Sequence, residues 1–164
     1  MSNLHIRPAR PGDLGSLTRR LGQERFFADR LDRQADGRGV LLTAWCADVV
    51  VGVVHLWMEQ AEEREIREHL PGVPLITHLE IHPDCRRTGV GTTLVQVAEK
   101  LLTAQGYDRI ALAVGVGSAD AGQLYARLGY RVWPHPPIRC CSVGDGHGHR
   151  QVEICNVLTK ALAR

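Results

Sequence analysis

At 164 residues, 44% hydrophobic and 23% charged, the chain is sized for one domain with a real core and is too apolar for a disordered protein. A formal net charge of +2 is too small to argue for nucleic acid on bulk charge, and no apolar run approaches the roughly 18 residues of a membrane span. Five scattered cysteines (Cys46, Cys85, Cys140, Cys141 and Cys155) do not form a disulfide framework, so reduced thiols are expected.

The opening residues MSNLHIRPAR lack the apolar core of a signal peptide, and a cytoplasmic location is the expectation. Residues 4–10 alternate apolar and polar and predict a first strand. A helix follows, with Pro11 near its start, Asp13 as a cap, and Leu14, Leu17 and Leu21 at helical spacing. ERFFADRLDRQ predicts a second helix with Phe26, Phe27 and Leu31 on one side, and residues 36–39 a turn. VLLTAWCA and VVVGVVHLWME read as an antiparallel hairpin. The acidic stretch QAEEREIREHLPGVP predicts a helix stopped by Pro71 and Gly72.

LITHLEIHP is another strand, and GVGTTLVQVAEKLLTAQG a helix with Leu94, Ala98, Leu101 and Leu102 inward and Gly106 at its end. RIALAV is a buried-type strand. SADAGQLYARLG is a helix that Ser118 caps and Gly129 ends. YRVW is a strand, PHPPIRCCSVGDGHGHRQ a long loop, and VEICNVLTKAL the closing strand. No repeat or linker interrupts the series, so residues 1–164 read as one domain.

Residues 81–102, IHPDCRRTGVGTTLVQVAEKLL, put two arginines and two glycines at the mouth of a helix. A helix N-terminus offers free N–H groups and the positive end of the macrodipole. Gly89 and Gly91 leave the backbone bare, and Arg86 and Arg87 add charge, so the turn suits an anion such as a pyrophosphate. The plainer reading is a basic strand-to-helix turn whose glycines allow close packing. The pattern is neither a Walker P-loop nor G-x-G-x-x-G, because no Gly-Lys-Ser/Thr follows and Leu94 stands where the last glycine would be.

What it matches is R-x-x-G-x-G at Arg86, Gly89 and Gly91, after L-x-I-x-P at Leu79, Ile81 and Pro83. This resembles the acetyl-CoA-binding motif of the GNAT superfamily of N-acetyltransferases. LYARLGY, a tyrosine-bearing helix followed by Leu-Gly-aromatic, is similar to that family's second signature, and the order of elements agrees over residues 75–133. The resemblance implies a mixed α/β fold, a mostly antiparallel twisted sheet of about six to seven strands flanked by helices. It implies acetyl-CoA as co-substrate, and a primary amine of a small molecule or peptide as direct attacker.

By that similarity the backbone of Arg87, Thr88, Gly89, Val90, Gly91 and Thr92 takes the pyrophosphate. The strand backbone at Leu79 and Ile81 pairs with the pantetheine arm, where the family splays this strand from the next at a bulge. Family members often carry asparagine seven residues before the tyrosine; here Ser118 stands there. Tyr125 is implied as proton donor to the leaving thiolate, against a reading from periodicity alone that makes it core. His78, Glu80 and His82 alternate on one strand face, with Glu80 first in line to take the amine proton and a solvent-facing polar stripe as the plain alternative.

The acidic residues Glu59, Glu62, Glu63, Glu65 and Glu68 suggest a lid favouring cationic acceptors, or a solvated helix with its own ion pairs. Cys140, Cys141, His147, His149 and Cys155 are zinc-type ligands, but their spacing is not that of a zinc site, and no metal is expected. Neither nucleic acid nor membrane is expected as a partner. Exposed strand edges and Trp133 near a terminal strand make a homodimer a candidate assembly. Two other functions compete: an acetyl-CoA sensor without turnover, and a nucleotide- or S-adenosylmethionine-dependent transferase built on RIALAVGVGSAD, which lacks the third glycine and the acidic partner.

Overall fold

A computed structural model describes residues 3–143 and 150–163 of the chain. The strands are β1 (Leu4–Pro8), β2 (Gly39–Cys46), β3 (Val49–Trp57), β4 (Leu75–Ile81), β5 (Arg109–Gly115), β6 (Arg131–Val132), β7 (Ile138–Val143) and β8 (Arg150–Ala161). They form one sheet in the order β1-β2-β3-β4-β5-β8-β6, with β7 also on β8. Every pairing is antiparallel except β4 with β5. The helices are α1 (Leu14–Leu21), α2 (Glu24–Ala35), α3 (Arg64–His69), α4 (Val90–Ala104) and α5 (Ala119–Arg127).

Strand alternation feeds two cores. In β2, Leu41 and Trp45 face Leu17 and Phe27 of α1 and α2, while Leu42 and Ala44 face Leu94, Val95 and Ala98 of α4. A bulge in β3 makes Val51 the extra residue, so Val50 and Val53, three apart, reach the same side. Gly52 is required by close approach: a Cβ there would lie 2.7 Å from Ile81 Cδ1 and 3.2 Å from Leu94 Cδ1. That contact seats α4 tightly against β3 and β4. A third cluster, with Trp57, Ile66, Leu75, Ala111, Cys140 and Cys155, fills the far side near β7 and β8.

Four expectations need correction, the last of them the cap at Asp13. Residues 138–143, read as loop because of the flanking prolines and glycines, form β7, which pairs with Arg150–Cys155 of β8 and brings the sheet to eight strands. The acidic helix is shorter than its composition suggests. Residues 60–62 stay non-helical because side chains take their carbonyls: Trp57 Nε1 donates to Gln60 O, and Arg67 Nη1 donates to the oxygens of Ala61 and Glu62. Trp133 is no surface anchor for a dimer; it is 4% exposed and buried within its own chain.

Asp13 does not cap α1. Its carboxylate accepts from the Arg10 N–H at 2.7 Å and pairs with both Arg7 Nη atoms at 2.7 and 3.1 Å, tying the turn at Pro11–Asp13 to β1. No helix among the described residues is long and apolar enough to cross a membrane. Among those residues no group of three or more His, Cys, Asp or Glu is gathered for a metal; His147 and His149 lie outside them.

Candidate active site

The turn between β4 and α4 is built from short-range bonds. His82 Nδ1 accepts the Asp84 N–H at 3.2 Å, and the Thr88 hydroxyl donates to Cys85 O. Arg87 and Gly89 both take left-handed backbone, at φ 64° and 86°. Only glycine adopts that conformation without cost, which accounts for Gly89. No side chain caps α4, and the N–H groups of Val90, Gly91 and Thr92 have no partner inside the helix. Gly91 is not explained by packing, since a Cβ there would come no closer than 3.7 Å to Ile81. Its missing side chain would lie toward Ile81 and Leu79 of β4, and Arg86 and Arg87 beside the turn are exposed.

β4 and β5 pair only at Leu75↔Ala111 and Ile76↔Leu112, then part. Just there β4 carries a bulge: His55 faces His78 and Leu56 faces Ile76, so Thr77 is the extra residue. Beyond it, the β5-facing edge of β4 at Leu79 and Ile81 makes no ladder bonds. The opening forms a groove of ≈ 250 Å³ whose walls include Leu79, Val114, Ser118 and Tyr125.

Tyr125 lines this groove. It is 5% exposed and stacks edge-on against Tyr130 at 5.4 Å, yet its hydroxyl bonds nothing among the described residues and borders the groove. Burial pushes its phenol above the ordinary value, so it is protonated at neutral pH. Ser118 stands at the N-cap of α5 but its hydroxyl makes no cap bond. Its Oγ lies instead toward Gly115 and the Glu153 carboxylate.

A second cavity of ≈ 440 Å³ lies between α2, the segment before α3, and the ends of β7 and β8. The groove and the cavity share Ile76, Thr77, His78, Leu112, Ala113 and Glu153. They therefore meet where β4 and β5 separate. His78 stands at this junction, its ring 4.5 Å from that of Phe26. Its Nε2 is 2.9 Å from Glu80 Oε1, which also accepts from Gln23 Nε2 at 2.8 Å. Glu80 itself belongs to neither wall. Burial alone would raise its carboxyl, but the bonds from His78 and Gln23 and the charge of Arg86 hold it below the usual range. Glu80 is thus ionised at neutral pH and accepts the His78 Nε2–H; in a neutral ring that tautomer puts the lone pair on Nδ1.

Charge in the cavity is unevenly compensated. Arg30 and Arg33 lie over the Phe26 and Trp57 rings and are paired, Arg30 with Asp29, Arg33 with Asp29 and Glu59. Glu62, Glu63 and Glu153 line the same cavity and make no ion pair among the described residues. Burial, with Glu62 and Glu65 nearby, pushes the Glu63 carboxyl up.

The residues singled out in the sequence fall into two groups. Arg86 to Thr92 lie in the uncapped turn, and Leu79, Ile81, Ser118 and Tyr125 lie along the opening or its groove. Glu80 sits behind His78 rather than in the cleft, and His82 is spent on the turn. Thr77 and Glu153 were not singled out. Glu153 is 38 residues beyond Gly115 in the chain, and no local pattern marks the convergence of their strands.

A sequence profile described as the acetyltransferase (GNAT) family matches residues 8–130. No curated protein sequence matches the chain. Among solved structures, the chain is similar to PaiA N-acetyltransferase from Thermoplasma acidophilum in complex with coenzyme A (TM-score 0.70, 16% identity, covering 98% of this chain and 99% of that one). It is similar to the ribosomal-protein-S18-alanine N-acetyltransferase from Escherichia coli (0.69, 15%, 98% and 95%). Naa20 from Chaetomium thermophilum, in complex with a bisubstrate analogue, is a further likeness (0.70, 19%, 96% and 86%). At these identities the structural likenesses establish the shared fold.

Proposed function

The chain belongs to the GNAT acetyltransferase family, whose donor is acetyl-CoA, and on that premise we propose that residues 1–164 form one domain that moves the acetyl group onto a primary amine held in the larger cavity. The observation that carries this reading is the meeting of two cavities at His78, one leading to Tyr125 and the other to α2 and the acidic segment.

In this reading the coenzyme lies across the opening between β4 and β5. Its pyrophosphate sits against the free amides at the start of α4, aided by Arg86 and Arg87. Its pantetheine arm takes up the unpaired edge of β4 at Leu79 and Ile81 as an added strand. Ser118, at the groove wall, is offered to the same arm. The thioester then reaches Thr77 and His78, where the amine arrives from the other side.

The neutral amine attacks the thioester carbon, a C–N bond forms and the C–S bond breaks. The amine proton passes to His78 Nδ1, with Glu80 holding the opposite ring nitrogen so that the lone pair faces the cleft. Tyr125 donates a hydrogen bond to the departing sulfur; the thiolate is a weaker base than the phenolate, so the sulfur draws the phenol proton only as Tyr125 regains one from the His78 imidazolium or solvent. Glu80, the base expected from the sequence, becomes the residue that orients the base.

The carboxylates Glu62, Glu63 and Glu153, without an ion pair among the described residues, favour a positively charged acceptor, a small polyamine or a peptide N-terminus. Thiol release from acetyl-CoA across a panel of amines tests the proposal. Cationic amines are expected to react fastest, and Glu153→Gln to raise their KM by about fivefold. Preference for an anionic amine would remove the charge argument. Tight coenzyme binding without turnover on any amine would favour an acetyl-CoA sensor.

A further inference from the structure

The extra residue of the β4 bulge, Thr77, has a hydroxyl that is not free to turn. Its Oγ1 lies 2.8 Å from Nδ1 of His55 on β3. His55 is 0% exposed, and its Nε2 is buried without a hydrogen-bond partner among the described residues. The ring is clamped against Gly39, where any Cβ would come within 2.9 Å of Nε2. Burial pushes its pKa down to about 3, so the imidazole is neutral and carries a single N–H.

That proton has two places to go. On Nε2 it would be a buried donor with no acceptor. On Nδ1 it donates to Thr77 and leaves only a lone pair unmet, the less costly orphan. With Nδ1–H donating, Thr77 Oγ1 is engaged as an acceptor, and its own hydrogen must point elsewhere. Thr77 is exposed and forms part of both cavity walls, so the hydroxyl hydrogen is presented to the junction. A bulge is a common device for re-aiming one side chain beside a reaction centre.

We propose that the Thr77 hydroxyl donates a hydrogen bond to the thioester carbonyl oxygen, and that His55 is the positioning residue that fixes Thr77 as a donor. The inference rests on the reading that acetyl-CoA lies in the β4–β5 opening. Charge grows on the carbonyl oxygen as the amine attacks, and a donor held in place beforehand stabilises it without reorganising. The buried histidine, unsuited to taking a proton itself, acts through the threonine.

Infrared spectra of carbonyl-labelled acetyl-CoA bound to the full chain test this without an acceptor amine. The C=O stretch is expected below that of the free thioester in the wild type and in Thr77→Ser. It should move back toward the free value in Thr77→Val and in His55→Phe, with acetyl-CoA affinity within about tenfold throughout. His55→Leu, which also lacks a donor, serves as the second variant should the phenylalanine not fold. A stretch unchanged by Thr77→Val overturns the donor. A stretch lost in Thr77→Val but kept in both His55 variants overturns the positioning role. Failure of acetyl-CoA to bind the wild type would instead overturn the acetyltransferase reading on which this one stands.

Discussion

His78 Nε2 and Glu80 Oε1 are 2.9 Å apart, and of the two only His78 reaches the junction of the cavities. In the proposed mechanism the pair divides the labour of base catalysis. His78→Ala is expected to lower kcat by roughly 10²- to 10⁴-fold, the usual worth of a general base. Glu80→Gln keeps the ring but not its fixed tautomer, and a loss of about tenfold is expected, with the KM for acetyl-CoA unchanged in both variants. Steady-state kinetics with one reactive amine measures this. A larger loss for Glu80→Gln than for His78→Ala would return the base to Glu80.

Tyr125 has a buried ring and an unbonded hydroxyl. Tyr125→Phe should therefore leave stability unchanged within about 0.5 kcal/mol while lowering kcat by roughly 10²-fold. Because burial raises the phenol above its ordinary value of about 10, no rate change from its ionisation is expected below that pH. Thermal unfolding and a pH–rate profile check the two halves. A stability loss without a rate loss would make Tyr125 core alone.

The uncapped start of α4 gives a prediction that separates phosphate binding from pantetheine binding. Gly89→Ala must strain a φ of 86°, and Gly91→Leu crowds the first turn of α4, where the free amides lie. Both should weaken CoA binding by about tenfold or more and leave pantetheine, which lacks the pyrophosphate, nearly unaffected. Calorimetric titration with each compound reads the difference. Equal weakening of the two ligands would mean a packing effect.

The Asp13 carboxylate offers a stability test away from the chemistry. Its bonds to Arg7 hold its pKa below the ordinary value, against a smaller opposing effect of burial. A depressed folded-state value contributes stability that is complete above the unfolded value of about 3.9 and is lost as pH falls through the folded value. Asp13→Asn should thus cost about 1 kcal/mol near neutral pH. The gap from wild type should close toward about pH 3 and below. Urea unfolding at the two pH values decides it, and a gap independent of pH would contradict the ion pair.

How far the sequence could be read depended on the distance between partners. The turn from Arg86 to Thr92 was legible because glycine spacing and helix start are written side by side. Tyr125 was legible through its own helix and the Leu-Gly-Tyr that follows. β7 was hidden, because Pro134, Pro136 and Pro137 signal a loop while its pairing to β8 depends on residues 150–155, farther along the chain. The different placement of Glu80 and His78 was hidden for a similar reason. Alternation puts both on one face, but only cavity geometry tells which one touches the cleft. Thr77 and Glu153 gave no local signal, since a bulge and a meeting of β5 with β8 are properties of pairing.

The central claim is that acetyl-CoA lies across the gap where β4 leaves β5. A crystal structure with CoA tests it most directly. The pyrophosphate is expected within hydrogen-bond reach of the Val90, Gly91 and Thr92 amides, and the sulfur between His78 and Tyr125. Coenzyme density elsewhere on the chain, or an opening filled by the protein's own side chains, would contradict it.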